Sequence, residues 1–463
     1  MMERNSSSLR DEGGFVFHYD GNLFRHVDRS FQDNYEFLLS SGLYDSLTSK
    51  GLLIKHQEED LSWFADNSAL NYKVIRPDHV PFISYPFEWS FNQLKDAALA
   101  TLEIQSIAIS HGMILKDSSA YNIQFIGGKP CLIDSLSFIK LGTEKKPWVA
   151  YKQFCEHFLV PLALMSYLDN RLNLMLRSFL DGVPLELGSE LLPARSYLSI
   201  GLLIHIHLHA RFHRKYSVSH KGQTKVAKNV SQSSLLGLNE SLRSSIRKLR
   251  PRKGATRWSD YYQQSVGPEY QRTKKEIVEQ IISTVHPKLV WDVGANNGEF
   301  SRLFSQKNIH VISLDNDPSC VDENYLLAKQ NNDTYIHPLF FNIIDPSPDL
   351  GWANTERLSF FQRSQPDLIT AFAIIHHLSI SQNIGFDHIA GLFSAKCRYL
   401  LIEFLEQDDP RVLELLTLKE NVHGAYTKVN FENSFTKYYQ IIGRYQTENK
   451  SRSLYLMESQ AKK

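Results

Sequence analysis

The sequence predicts an α/β protein. Its C-terminal half is expected to hold a doubly wound, mainly parallel sheet that ends in an antiparallel hairpin, and its N-terminal half an α+β region. Short apolar runs recur along the C-terminal half, separated by stretches long enough for helices, and strands that alternate with helices form parallel sheets. These runs span 288–293, 309–314, 335–341, 367–373 and 398–404. Two final runs, 438–444 and 453–457, are too close for a crossover helix between them, so they predict the hairpin.

Composition sets the domain count and excludes some classes of protein. A chain of 463 residues is too long for one hydrophobic core, and we expect an N-terminal domain over 1–213, a basic, Ser-rich linker over 214–257 and a C-terminal domain over 258–463. Apolar residues make up 42% and charged residues 22%, an ordinary globular composition. The formal charge of +1 gives no overall field that would attract nucleic acid or membranes. The four cysteines have no paired spacing, which argues against disulfides or a Cys-based metal site.

The first strand of the C-terminal half is followed by a glycine turn and a helix. The apolar run ends at Asp292, Gly294 and Gly298 bracket the turn, and apolar residues then resume at helical spacing. A second acid, Asp315, ends the next strand, where a carboxylate can bind both hydroxyls of a ribose. The turn reads Gly-Ala-Asn-Asn-Gly, with Asn296 in place of the middle glycine that pyrophosphate-binding turns use. The pattern therefore favours a nucleoside cofactor other than a dinucleotide.

These residues resemble the class I S-adenosylmethionine-dependent methyltransferases, whose first motif reads acid-x-Gly-x-Gly-x-Gly. The resemblance covers the C-terminal domain and departs from the motif at Asn296. It implies a Rossmann-like fold with S-adenosylmethionine as the cofactor. The implied cofactor-binding residues are Asp292, Gly294, Asn296 and Gly298 under the methionine portion, Asp315 at the ribose and Asn342 at the adenine. From the residues alone, Asn342 can equally be a loop amide that bonds to its own backbone.

Candidate catalytic residues follow the fourth and fifth predicted strands. His376 and His377 come after the fourth strand, and a histidine there can act as a general base or orient an acceptor. Glu403 ends the fifth strand at the edge where open α/β sheets bind ligands. For each histidine the alternative is a helix cap or a packed ring, and for Glu403 a solvated strand end. The combination Trp-Asp-Val-Gly-Ala-Asn-x-Gly, Ile-His-His-Leu and Ile-Glu-Phe resembles a bacterial methyltransferase group related to the nodulation protein NoeA.

A second motif lies in the N-terminal half. Asp117 and Asn122 have the Asp-x-x-x-x-Asn spacing of a kinase catalytic loop, and Asp134 falls where kinases have a magnesium-binding acid. The stretch resembles the protein-kinase and aminoglycoside-phosphotransferase core, without a glycine-rich phosphate loop and without a histidine next to Asp117. Lys55 and Lys73 are the candidates for a phosphate-binding lysine. We expect a kinase-like domain with a degenerate site, while an ordinary helix–loop–hairpin with solvated acids is the alternative.

Three features of the sequence bear on metal binding, nucleic-acid binding and cellular location. His205, His209 and His213 recur every four residues, but their span along a helix is too long for one metal ion, so no metal is expected there. The basic segment 214–257 lacks aromatic residues for base stacking, which favours a solvated connector over a nucleic-acid site. The apolar stretch 197–208 is too short to span a bilayer, and with no apolar N-terminal segment we expect a cytoplasmic protein.

The expected activity is methyl transfer to an unidentified acceptor, with a small molecule or a glycan or lipid precursor favoured. Two alternatives stay open: nucleotide binding or phosphotransfer by the N-terminal domain, and a cofactor-binding module without chemistry. A nucleic-acid methyltransferase is disfavoured because no Asn/Asp-Pro-Pro-aromatic motif follows the fourth strand. The sequence is silent on the oligomeric state.

Overall fold

The structure is a computed structural model of the full chain. It describes residues 2–59, 71–142, 147–218, 230–252, 267–417, 419 and 424–460. Residues 253–266, which include the end of the predicted linker and the start of the predicted C-terminal domain, lie outside the described residues. Among the helices within the described ranges, none combines the length and apolar character that a membrane span requires.

The chain divides into two compact units. Unit 1 comprises Met1–Lys253 together with Ser347–Ser359, and unit 2 comprises Gly254–Pro346 and Phe360–Lys463. The chain therefore leaves unit 2 after the third strand of its sheet, contributes a short segment to unit 1, and returns before the fourth strand.

Unit 2 is built on a seven-stranded sheet. Its order is β12-β11-β10-β13-β14-β16-β15. The first five strands are parallel, and β16 pairs antiparallel with both β14 and β15, which confirms the predicted parallel sheet and terminal hairpin. The strands are β10 (Leu289–Val293), β11 (His310–Asp315), β12 (Ile336–Phe340), β13 (Leu368–Ala371), β14 (Tyr399–Leu405), β15 (Tyr439–Gln446) and β16 (Arg452–Ser459).

Helices pack against this sheet through apolar stripes. The helix Pro268–Val285 begins with proline, which fits a first turn, and buries Ile277, Val278 and Ile281 in a core shared with the strands. The other α-helices in the described part of unit 2 are Ser301–Ser305, Pro318–Gln330, Phe360–Arg363, Phe386–Ser394, Pro410–Thr417 and Lys428–Phe435. Each parallel strand thus ends at one common edge, where the loops that follow β10 to β14 gather.

Unit 1 contains an antiparallel sheet of order β1-β2-β3-β5-β4. Its strands are β1 (Glu3–Arg4), β2 (Gly14–Tyr19), β3 (Asn22–Asp28), β4 (His56–Glu59) and β5 (Asn71–Pro77). Two small antiparallel pairs follow, formed by β6 (Met113–Leu115) with β9 (Phe138–Lys140) and by β7 (Ile123–Ile126) with β8 (Lys129–Leu132). The mixture of antiparallel strands and helices is an α+β arrangement.

Helices supply the rest of unit 1. The longest is Phe91–Ser110, which begins with a capping box between Ser90 and Gln93. The remaining α-helices are Gln32–Ser40, Leu43–Ser49, Tyr151–Phe154, Val160–Tyr167, Met175–Ser178, Leu185–Leu191, Ile200–Leu202, His209–Val218 and Gln232–Lys248.

The prediction of a solvated connector is wrong for Gln232–Lys248. Leu235, Leu242 and Ile246 of this helix are buried, and the Asn239 side chain donates a hydrogen bond of 2.7 Å to the carbonyl of Leu102. Serine and basic residues cover the outer face, which hides the apolar stripe from a reading of composition.

The histidines of the segment 205–213 bond to protein groups. Tyr151 and Ser241 lie 2.7 and 2.9 Å from the two ring nitrogens of His205. His213 lies 2.7 Å from Glu186. Residues 203–208 form a π-helix, so the spacing of four does not place these rings on one face as it would in an α-helix.

Candidate functional site

A cavity of about 370 Å³ opens at the carboxyl edge of the seven-stranded sheet, a size typical of small-molecule sites. The loops after β10, β11, β12 and β13 line it, together with the first turns of the helix Pro268–Val285. Its lining includes Tyr270, Lys274, Gly294, Asn296, Asp315, Asn342, Phe372 and His377.

The glycine turn after β10 brings bare backbone to the cavity. Gly294 has a φ of 77°, a left-handed conformation that glycine adopts without strain. Asn296 also has a positive φ, 52°, and asparagine is one of the few other residues that tolerates it. The asparagine that departs from the glycine motif therefore keeps the left-handed turn.

Asp315 connects the glycine turn to the end of β11. The backbone N–H of Asn296 donates to its Oδ2 at 2.7 Å, and the N–H of Asp317 donates to its Oδ1 at 2.8 Å. Burial raises the pKa of the Asp315 carboxyl to about 6. An ionised carboxylate offers about four lone-pair sites, so each oxygen can accept a further hydrogen bond from a ligand in the cavity.

Asp292 and Gly298 lie beneath the cavity, outside its lining. The Asp292 carboxylate accepts hydrogen bonds from the hydroxyls of Ser301, at 2.6 Å, and Thr370, at 2.8 Å. Burial raises the pKa of Asp292, although these hydroxyls oppose the shift. A Cβ on Gly298 would lie 2.2 Å from the Asn324 side chain, so this glycine allows a close approach of the neighbouring helix. Asp292 and Gly298 therefore support the turn from below and do not line the cavity.

Asn342 lines the cavity after β12, but its amide is partly occupied. The backbone N–H of Ile344 donates to Asn342 Oδ1 at 3.2 Å. Asn342 therefore does bond to its own backbone, which is the alternative that the sequence left open. Its NH₂ group and the second lone pair of Oδ1 can still form hydrogen bonds with a ligand.

The two adjacent histidines have different environments. His377 is half-buried and lines the cavity. His376 is 1% exposed, its Nδ1 has no hydrogen-bond partner, and burial lowers its pKa well below the ordinary value. The structure therefore does not support a catalytic role for His376, because a buried ring that resists protonation cannot exchange protons with an acceptor.

Glu403 is enclosed in the wall of the site. Its side chain is fully buried and accepts hydrogen bonds from the Tyr270 hydroxyl, from Lys274 Nζ at 2.9 Å and from the backbone N–H of Ala373 at 2.9 Å. Burial alone would raise the pKa of Glu403, but Lys274 and Arg452 hold it below its ordinary value. The expectation that Glu403 faces an acceptor is therefore wrong, because three donors occupy this buried carboxylate.

This carboxylate instead fixes the shape of the cavity. Ala373, which lines the cavity, has a φ of 49°, a strained conformation for alanine. The hydrogen bond from its N–H to Glu403 holds the turn after β13 in that conformation. Glu403 therefore positions the Phe372–Ile374 wall, and Lys274 balances its charge.

The cations of this wall were missed in the sequence analysis. Lys274 lies 4.2 Å from the centroid of the Phe372 ring, and Arg452 pairs with the buried Asp409 at 2.7 Å. A signal for Lys274 existed, because the spacing from Tyr270 through Lys274 to Val278 and Ile281 places it on the buried stripe of its helix. Arg452 pairs with a distant part of the chain, which periodicity does not reveal.

The kinase-like motif of unit 1 forms two small networks. Asp134 Oδ1 lies 2.9 Å from Arg25 and its Oδ2 accepts a hydrogen bond of 2.7 Å from Ser137, which Asn122 contacts at 3.5 Å. Asp117 accepts hydrogen bonds from the N–H of Ser119, at 2.8 Å, and from Gln153, at 2.9 Å.

The predicted lysine candidates do not take part in these networks. Lys73 pairs with Glu58 at 2.6 Å, and Lys55 is exposed. The cation that meets Asp134 is Arg25 on β3.

The order of the seven-stranded sheet, its antiparallel end and the glycine turn with its acids define the fold of the class I methyltransferases. No protein-family model matches the chain. The chain is 30% identical to the nodulation protein NoeA of Rhizobium meliloti (strain 1021) over 98% of its own length and 96% of that protein. The chain belongs to the NoeA family.

Similar solved structures include two methyltransferases. The bifunctional kinase-methyltransferase WbdD is 15% identical and matches 43% of this chain and 41% of its own, with a TM-score of 0.31. The chain thus covers less than half of that protein. The N-methyltransferase NodS from Bradyrhizobium japonicum WM9, in complex with S-adenosyl-L-homocysteine, is 11% identical and matches 44% of this chain and 93% of its own, with a TM-score of 0.32.

Proposed function

We propose that unit 2 transfers the methyl group of S-adenosylmethionine to an acceptor bound in the same cavity. The observation that carries the proposal is the half-buried Asp315 carboxylate beside the left-handed turn at Gly294 and Asn296, on the wall of a cavity of about 370 Å³. A ribose diol donates two hydrogen bonds to such a carboxylate, and bare backbone leaves room for the methionine portion.

The remaining cavity residues divide between the two ends of the cofactor. Asn342 lies after β12, on the side proposed for the adenine, and Phe372 and His377 follow β13, on the side proposed for the methyl group. Apolar side chains such as Phe341, Phe372 and Leu378 line the cavity and limit the access of water to it.

The proposed reaction is an in-line displacement. The acceptor atom forms a bond to the methyl carbon as the bond from sulfur to that carbon breaks, and the bonding electron pair returns to sulfur, which becomes a neutral thioether. His377 takes the proton that the acceptor loses, since a half-buried imidazole on the cavity wall can serve as a general base. Orientation supplies the rest of the acceleration, because the sulfonium is already a good leaving group.

A small molecule or a glycan or lipid precursor is the proposed class of acceptor, since a cavity of this size accepts one compact group beside the cofactor. Thermal unfolding with S-adenosylmethionine, S-adenosylhomocysteine and NAD tests the cofactor assignment. Both adenosyl compounds are expected to raise the melting temperature of the wild type in a concentration-dependent way, and Asp315→Ala should need about 100-fold more ligand for the same rise. Stabilisation by NAD with no effect of either adenosyl compound would overturn the proposal.

A further inference from the structure

Unit 1 places one arginine between two carboxylates from different parts of the chain. Arg25, on β3, contacts Asp134 at 2.9 Å and forms a short ion pair with Asp11. Only 12% of its side chain is exposed, and its Nε is buried without a hydrogen-bond partner. The planar fork of a guanidinium matches the oxygens of a phosphate as well as those of a carboxylate, so a phosphate could take the place of one of these acids.

The surroundings of Arg25 match the parts of a phosphotransferase site. In protein kinases such a site combines a cation on the third strand, a loop that covers the phosphates, and a metal-binding acid that follows the catalytic loop in the chain. Asp134 meets Arg25 and is connected through Ser137 to Asn122, a residue of the predicted catalytic loop. The nearby Lys116 adds a second positive charge, which acts on Asp11.

Asp11 belongs to the loop 5–13 between β1 and β2, where a phosphotransferase would cover the phosphates. The N–H of Gly13 donates to its Oδ1 at 2.9 Å, and Gly14 approaches β3 so closely that a Cβ would lie 1.9 Å from the carbonyl oxygen of His26. The loop therefore ends close against β3, and its Asp11 carboxylate meets Arg25 on that strand.

The segment Ser347–Ser359, which belongs to unit 1, bonds to this loop. In unit 1, Ser6 donates a hydrogen bond to the carbonyl of Thr355, and Arg10 pairs with Glu356 at 2.9 Å. Both partners lie in Ser347–Ser359, the segment that joins unit 1 between β12 and β13.

We propose that Arg25 is the phosphate-binding cation of a nucleoside-triphosphate site in unit 1, and that Asp11 blocks this site by occupying Arg25 in place of a phosphate. Burial and the Asp134 carboxylate raise the pKa of Asp11 in spite of Arg25, so the blocking carboxylate is held at an electrostatic cost. A phosphate group carries the same charge type and more acceptor oxygens, which allows it to displace the carboxylate once the loop moves. The proposal does not depend on methyl transfer by unit 2.

Binding of ATP with Mg²⁺ to the full chain, measured by isothermal titration, tests the block. Asp11→Asn keeps the acceptor for the Gly13 N–H and removes the charge, so ATP affinity is expected to rise at least about tenfold over the wild type, which corresponds to about 1.4 kcal/mol. The neighbouring exposed carboxylate gives the matched control, Glu12→Gln, which is expected to bind ATP as the wild type does.

The double variant Asp11→Asn/Arg25→Met tests whether ATP binds at Arg25. Its ATP affinity is expected to fall back from that of Asp11→Asn, because it lacks the cation that binds phosphate. A gain that persists in the double variant places ATP elsewhere and overturns the proposal. Equal binding by the wild type and Asp11→Asn, or no binding by an Asp11→Asn protein that melts like the wild type, overturns it as well.

Discussion

The two units use a carboxylate beside a glycine-containing turn in opposite ways. In unit 2, Asp315 accepts two backbone hydrogen bonds, pairs with no cation at its carboxylate in the described contacts, and lines a cavity. In unit 1, Asp11 accepts a backbone hydrogen bond from Gly13 and directs its charge onto Arg25. The difference is that a cation of the protein already neutralises Asp11, whereas the described contacts leave the charge of Asp315 available to a ligand.

The largest expected effect concerns the Phe372–Ile374 wall of the same cavity, which Glu403 holds through the Ala373 N–H. Glu403→Leu leaves the buried Lys274 without its carboxylate and is expected to lower the free energy of unfolding by about 3–5 kcal/mol. Lys274→Met/Glu403→Leu removes both charges and is expected to recover most of the loss. Urea unfolding measures both variants. A loss under about 1 kcal/mol for Glu403→Leu would show that the pair does not hold the wall.

Removal of the Asp315 carboxylate is expected to have the next largest effect. Asp315→Ala loses two charge-assisted hydrogen bonds to the ribose, so the affinity for S-adenosylmethionine should fall about 100-fold or more, by isothermal titration. Glu279→Ala, which removes an exposed carboxylate from the helix Pro268–Val285 outside the cavity lining, serves as the control and should bind normally. If Asp315→Ala keeps its affinity for S-adenosylmethionine, Asp315 does not bind the ribose and the proposed difference from Asp11 is wrong.

The raised pKa of Asp315 predicts that cofactor binding depends on pH. Since burial raises this pKa to about 6, the carboxylate is charged above that pH and protonated below it. Affinity for S-adenosylmethionine is therefore expected to be constant above about pH 6 and to fall about tenfold per pH unit below it. Asp315→Asn should bind weakly without this inflection. The same inflection in Asp315→Asn would assign the titration to another group.

The smallest effect is expected at the residue that departs from the glycine motif. Asn296 already has a φ of 52°, so Asn296→Gly should change the affinity for S-adenosylmethionine by no more than about twofold. Asn296→Ala should cost roughly 1 kcal/mol in unfolding free energy, because alanine resists the left-handed conformation. A large loss of affinity in Asn296→Gly would instead reveal a contact between the Asn296 side chain and the ligand.

The sequence predicted what local periodicity controls. The strands β10 to β14 and the final hairpin follow from apolar runs, and the meeting of Gly294 with Asp315 follows because parallel strands end at one edge. Whether each acid is neutralised depends on partners that are distant in the chain, and hydrophobic periodicity gives no information about those partners. Glu403 meets Lys274 from a helix that precedes β10.

The same limit applied in unit 1. The sequence pattern favours Lys73 as a lysine on a strand, whereas the structure brings Arg25 to Asp134 across more than one hundred residues of sequence. The helix Gln232–Lys248 differs from its prediction for another reason: its Leu235, Leu242 and Ile246 have helical spacing, but serine and basic residues dominate its composition.

A structure of the chain with S-adenosylhomocysteine would show whether Asp315 binds the ribose. Ligand density is expected in the cavity at the carboxyl edge of β10 to β13, with both ribose hydroxyls within hydrogen-bonding distance of the Asp315 carboxylate and the adenine beside Asn342. Density for the ligand at any other place, or a bound ligand whose ribose does not reach Asp315, would contradict it.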